Sequence, residues 1–104
     1  MNNDVSEVER MSKLSNVQIS IYLRKLPDWK YEDGALRKTF TFGAFTDSIT
    51  FVNKVAERAE EAQHHPDLTI RYNDVDVLLT THDSGGVTGK DFMLAEQIEK
   101  EYGR

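Results

Sequence analysis

Leu68-Thr69-Ile70-Arg71-Tyr72-Asn73-Asp74-Val75-Asp76-Val77-Leu78-Leu79 is the stretch that decides the fold. Apolar and polar residues alternate on both sides of Asn73-Asp74, and a period of two marks strands that bury one face. Asn-Asp supplies a two-residue hairpin turn. A turn centred there predicts that Tyr72 faces Val75, Arg71 faces Asp76, Ile70 faces Val77, Thr69 faces Leu78 and Leu68 faces Leu79. This register puts the apolar partners on one face, Tyr72 among them as hairpin core, and pairs opposite charges on the other. Carried on through Asp67–Thr80 and Pro66–Thr81, it sets His65 opposite His82, with Cβ atoms about 5 Å apart.

Working outward, Pro66 disfavours the α conformation at His65, so a helix arriving from the N-terminal side must stop near His64. Ile49, Val52, Ala56, Ala59 and Gln63 form a stripe at helical spacing, which predicts a helix from about Asp47 to Gln63 capped by Thr46. Ahead of it, Leu36, Lys38, Phe40 and Phe42 alternate with Arg37, Thr39 and Thr41. Asp33-Gly34 joins this strand to a shorter one at Trp29–Glu32, because glycine takes positive φ without strain. Ser15 and Gln18 form a capping-box pair opening a helix from about Asn16 to Leu26, with Leu14, Val17 and Ile21 at helical spacing and Pro27 ending it. Beyond the central hairpin, Ser84-Gly85-Gly86 is a loop. Thr88 and Asp91 repeat the capping-box pattern, and Leu94, Ala95, Ile98 and Tyr102 line the last helix. The order α-β-β-α-β-β-α predicts an α+β fold, a four-stranded antiparallel sheet with three helices on one face. Residues 14–104 form one domain behind a flexible arm, residues 1–13.

The composition narrows the function. Ten aromatics, 38% hydrophobic residues and 104 residues in all are enough for a small core. The absence of cysteine excludes disulfides, thiolate metal sites and cysteine nucleophiles. No apolar run approaches membrane-spanning length, and Met1–Lys13 lacks the apolar core of a signal peptide, so the cytoplasm is the expected location. A net charge of −5 argues against general nucleic-acid binding. It leaves a small neutral or cationic ligand open.

All three histidines of the chain are expected to converge, His64 and His65 at a helix end and His82 at the end of the neighbouring strand. Imidazole titrates near neutral pH, so one ring can give a proton while another takes one. A helix C-terminus favours the protonated form of a nearby histidine. Glu60, one turn before His64, is placed to orient a ring, and Asp91 lies in the first turn of the last helix.

The spacing Glu60-x3-His64-His65-Pro66-x5-Tyr72-x9-His82-x8-Asp91 resembles the signature of the pterin-4a-carbinolamine dehydratases. The likeness runs from about Leu14 to Tyr102 and takes in Leu26-Pro27-x-Trp29 and Thr81-His82. The resemblance implies a hydro-lyase that dehydrates 4a-hydroxytetrahydropterins to quinonoid dihydropterins, in tetrahydrobiopterin recycling. It also implies no metal or organic cofactor, and assembly as a homodimer or homotetramer. Carried over by position, His64 and His82 are the first choices for the acid/base pair. His65 would bind or orient the pterin, Glu60 would orient a ring, and Asp91 would brace the site with Lys90 nearby. Trp29 would wall the pocket, and Pro66 and Thr81 support it. Leu68 departs from the aromatics that many members place just after the proline.

Plainer readings stand beside these. His64 and His65 can serve as helix-end caps, Asp91 as a helix N-terminal acid, and Trp29 as core filler. Three histidines with Glu60 or Asp91 could also ligate zinc in a hydrolase. A non-enzymatic partner-binding or assembly module on the same fold is the remaining alternative.

Overall fold

A computed structural model describes residues 6–103. Helix α1 spans Glu7–Met11, α2 Asn16–Leu23, α3 Phe45–Ala62 and α4 Gly89–Tyr102. Strands β1 (Lys30–Glu32), β2 (Ala35–Thr41), β3 (Asp67–Arg71) and β4 (Asp74–Leu79) form one antiparallel sheet in the order β1-β2-β4-β3. The fold is therefore α+β, with four helices rather than three. The additional one is α1, in the stretch expected to be a flexible arm. Residues 1–5 of that arm lie outside the described residues.

Local chemistry accounts for most boundaries. Both expected capping boxes are present. In one, the Gln18 N–H donates to Ser15 Oγ and the Ser15 N–H donates back to Gln18 Oε1 at 2.8 Å. In the other, the Thr88 N–H donates to Asp91 Oδ2 at 2.9 Å. A third box, Ser6 with Glu9, opens α1. The β1–β2 turn is Asp33-Gly34, with positive φ at both residues. Helix α3 begins two residues before the expected start, after Ala44, which makes no side-chain cap, so Thr46 lies inside the helix.

The register of the central hairpin differs from expectation. The turn is centred on Tyr72-Asn73, not Asn73-Asp74. Arg71 faces Asp74, Ile70 faces Val75, Leu68 faces Val77 and Asp67 faces Leu78. Every partner shifts by two residues, so the same side chains still share a face. Tyr72 sits in the turn with φ of 55° and is exposed, so it is not hairpin core. Arg71 still reaches Asp76, diagonally, at 2.7 Å. Extending this ladder sets His64, not His65, toward Thr81, and the opposition of His65 and His82 is lost.

The core lies between the sheet and α2–α4. Leu36 pairs with Leu79 and Phe40 with Val75 on the covered face. Helix α3 buries Ser48, Phe51, Val55 and Ala59, about one residue's rotation from the expected stripe, because Phe51 and Val55 bring more apolar area than Ala56 and Gln63. Helix α2 buries Ile19 and leaves Val17 and Ile21 exposed. Helix α4 buries Leu94, Ala95 and Ile98 as expected, and Phe92 and Asp91 besides. No helix among the described residues is long and apolar enough to cross a membrane.

Candidate active site

Helix α3 ends in a left-handed residue, Gln63 at φ 54°, whose N–H returns to the Ala59 and Glu60 carbonyls. The reversal directs His64 back toward the start of α4, where its Nε2 stands 2.5 Å from Asp91 Oδ1. Asp91 is fully buried. Its other oxygen, Oδ2, accepts from the Thr88 N–H and, at 2.8 Å, from the hydroxyl of Thr81, two residues beyond β4. Thr81 Oγ1 is also 2.9 Å from Thr88 Oγ1, which accepts from the Lys90 N–H. Each hydroxyl carries one proton, so a consistent chain runs from Lys90 N–H through Thr88 and Thr81 to Asp91. One carboxylate thus ties together α3, α4 and the segment leading into His82.

The hydrogen bonds fix the ring chemistry. A carboxylate only accepts, so Nε2 of His64 carries a proton toward Asp91, which leaves Nδ1 as the nitrogen that gains or loses one. His65 has the same arrangement with Glu60, at 2.6 Å between Nε2 and Oε2, but both side chains are exposed. The expected orienting role of Glu60 therefore falls on His65. Asp91 is the residue that holds His64. The capping box already implied an acid folded back over the start of α4. It did not show that one of its oxygens would be left for His64.

The remaining predicted residues separate. His82 opens a short 3₁₀ turn, His82–Ser84, closed by backbone hydrogen bonds between Thr81 and Gly86. It lines a cavity of about 430 Å³ with Asp33, Arg37, Asp67 and Thr80. His64 lines another, of about 320 Å³, with Arg10, Glu61, Lys90, Met93 and Gln97. His64 and His82 thus line different cavities, and His65 lines neither of the two. No three histidine, aspartate or glutamate side chains among the described residues gather closely enough to hold a metal ion. Trp29 is buried in the core, 6.0 Å edge-on to Phe40, and donates from Nε1 to Glu99 at 2.7 Å. It walls neither histidine cavity. Pro66 is half-buried between His65 and β3.

The model of the pterin 4 alpha carbinolamine dehydratase family matches residues 12–101. The chain belongs to that family. A Thermomicrobium roseum protein, whose name places it among the pterin-4-alpha-carbinolamine dehydratases, is 48% identical over 85% of this chain and 95% of its own length. A Mycobacteroides abscessus protein of the same naming is 46% identical over 90% of this chain and all of its own. A crystal structure described as a transcriptional coactivator/pterin dehydratase from Brucella melitensis superposes with a TM-score of 0.86 at 33% identity, over 88% of this chain and all of that one. A pterin dehydratase-like protein described as a RuBisCO assembly factor in the alpha-carboxysome shares the fold, with a TM-score of 0.60 at 21% identity over 72% of this chain and 87% of that one.

Proposed function

We propose that this pterin dehydratase family member is a hydro-lyase acting on 4a-hydroxytetrahydropterins by histidine general acid/base catalysis. A proton reaches the 4a hydroxyl, the C4a–O bond breaks, and water leaves. The N5–H bond gives its electrons to a new C4a=N5 double bond as a base takes the proton. The product is the quinonoid dihydropterin, and no electrons are gained or lost overall. His64 and His82 are the acid/base pair, and His65 binds the pterin or its hydroxyl. The observation that carries this reading is the His64–Asp91–Thr81 chain. It occupies Nε2 of His64, leaving Nδ1 for proton transfer, and anchors Thr81, the residue next to His82. Because the two rings line different cavities, this reading requires one substrate to reach both.

The same reading places the protein in the cytoplasm, in tetrahydrobiopterin recycling, with no metal or organic cofactor. It also proposes a homodimer or homotetramer. β1 and β3 are edge strands, and Ile70 of β3 and Tyr72 beside it are exposed. Light scattering checks the assembly. The activity is tested by generating the carbinolamine with a pterin-dependent hydroxylase and following quinonoid formation by absorbance. The expected result is dehydration well above the buffer rate. A rate equal to buffer refutes the enzymatic reading and favours a partner-binding module on this fold.

A further inference from the structure

Helix α1 lies ahead of the family-matched span, which begins at residue 12. It is fastened to the domain at several points. Glu9 accepts from the Tyr22 hydroxyl at 2.8 Å and from Gln18 Nε2 at 3.4 Å. Just after the helix, Leu14 N–H donates to the Val87 carbonyl. The Ser6 backbone N–H, and then the Tyr22 hydroxyl, hold the Glu9 carboxyl below the usual carboxylate range. This fastening sets Arg10 on the wall of the cavity that holds His64.

Four observations give that cavity an unmet demand for negative charge. Arg10 Nε is buried and has no hydrogen-bond acceptor among the described residues. Its Nη1 stands 3.9 Å from exposed Glu7, beyond hydrogen-bond distance. Lys90, which lines the same cavity, is exposed, and its ammonium has no partner among the described residues. The acid in the cavity, Glu61, is already taken by Arg58 at 2.8 Å. A buried donor without a partner calls for an acceptor, and a guanidinium and an ammonium lining one cavity suit an oxyanion.

We infer that Arg10, with Lys90, recognises an acidic substituent on the pterin, so that the substrate class is a tetrahydropterin carrying a carboxylate or phosphate on its C6 side chain. This rests on the proposed dehydratase reading. It extends that reading to a residue outside the family-matched span. An acidic protein can still favour an anion here, because the recognition is local to one cavity.

Fluorescence titration with oxidised pterins tests it, using pterin-6-carboxylate, 6-hydroxymethylpterin phosphate and neutral 6-hydroxymethylpterin. The acidic ligands are expected to bind roughly tenfold tighter than the neutral one, with a preference that shrinks as salt is raised. The better of the two acids identifies the substituent. Arg10→Gln is expected to bring the acid-to-neutral ratio near one, and Arg10→Lys to restore part of it, with unchanged circular-dichroism melting for both. Equal binding of all three pterins by the unsubstituted protein, or a preference that survives Arg10→Gln, overturns the inference. If dehydration is accelerated but no charge preference is seen, this inference alone fails. If no pterin binds and no dehydration is seen, the dehydratase reading fails and takes this inference with it.

Discussion

Asp91 is the residue on which the site turns. It is fully buried and receives hydrogen bonds from a backbone N–H, a threonine hydroxyl and an imidazole. Replacing it with alanine leaves those donors without an acceptor and removes the α4 cap. The expected cost is about 3 kcal/mol of stability, measured by urea unfolding. Asp91→Asn keeps most of the volume but offers only one acceptor oxygen. It should remain folded and lose activity, because the amide can present an N–H to His64 and favour the other tautomer. A stable Asp91→Asn variant with full dehydration rate would separate this network from catalysis. The place of Asp91 in the α4 capping box was legible in its spacing from Thr88. Its pairing with His64 was not, because that depends on the left-handed turn at Gln63. Arg10 was not legible at all, since nothing local in Glu7–Met11 shows which cavity the helix faces.

At the scale of elements, turns and caps were written more plainly than faces and registers. Asp33-Gly34 reads directly as a turn because its φ values exclude most residues. Gly34 sits at φ 77° with open space around its Cα. Gly34→Ala therefore probes backbone strain alone and should cost about 1 kcal/mol by urea unfolding. Tyr72 is the opposite case, an exposed non-glycine residue at φ 55°. Tyr72→Gly should stabilise the hairpin by about 0.5–1 kcal/mol, and a loss of stability would contradict the strain assigned to that turn. The same turn explains the register error. Centring on Tyr72-Asn73 or on Asn73-Asp74 keeps identical faces, so hydrophobic alternation cannot choose between them. For α2 the apolar residues are too evenly spread for spacing alone to select the buried side, whereas α3 is strongly one-sided and only the exact centre of its buried stripe differs from expectation. There the packing of Ile19 against the core, and of Phe51 against Phe40 and Phe42, decides.

Across the whole molecule, the helices cover one sheet face and the other is polar. Thr39 donates to Asp76 at 2.6 Å and Thr41 to Asp74 at 2.8 Å on that open face. The Thr39 hydroxyl, and then Arg71, hold the Asp76 carboxyl below its ordinary value. A lowered carboxylate pKa in the folded state means the unfolded chain binds the proton more readily. The stability it contributes is present above the ordinary carboxylate range and is lost as pH falls through and below it. Asp76→Asn should therefore flatten the acid side of the stability–pH curve, read from melting temperatures between neutral pH and pH 3. An unchanged acid slope would show that this pairing does not contribute.

The central claim is that His64 and His82 serve one bound pterin. Its most direct test is the rate of quinonoid formation from the 4a-carbinolamine for His64→Ala, His82→Ala and the double variant. Each single substitution should lower the rate by about 10²-fold or more. The double should fall little further, since groups acting as a unit are lost together. Unsubstituted rates in either folded single variant would contradict the account.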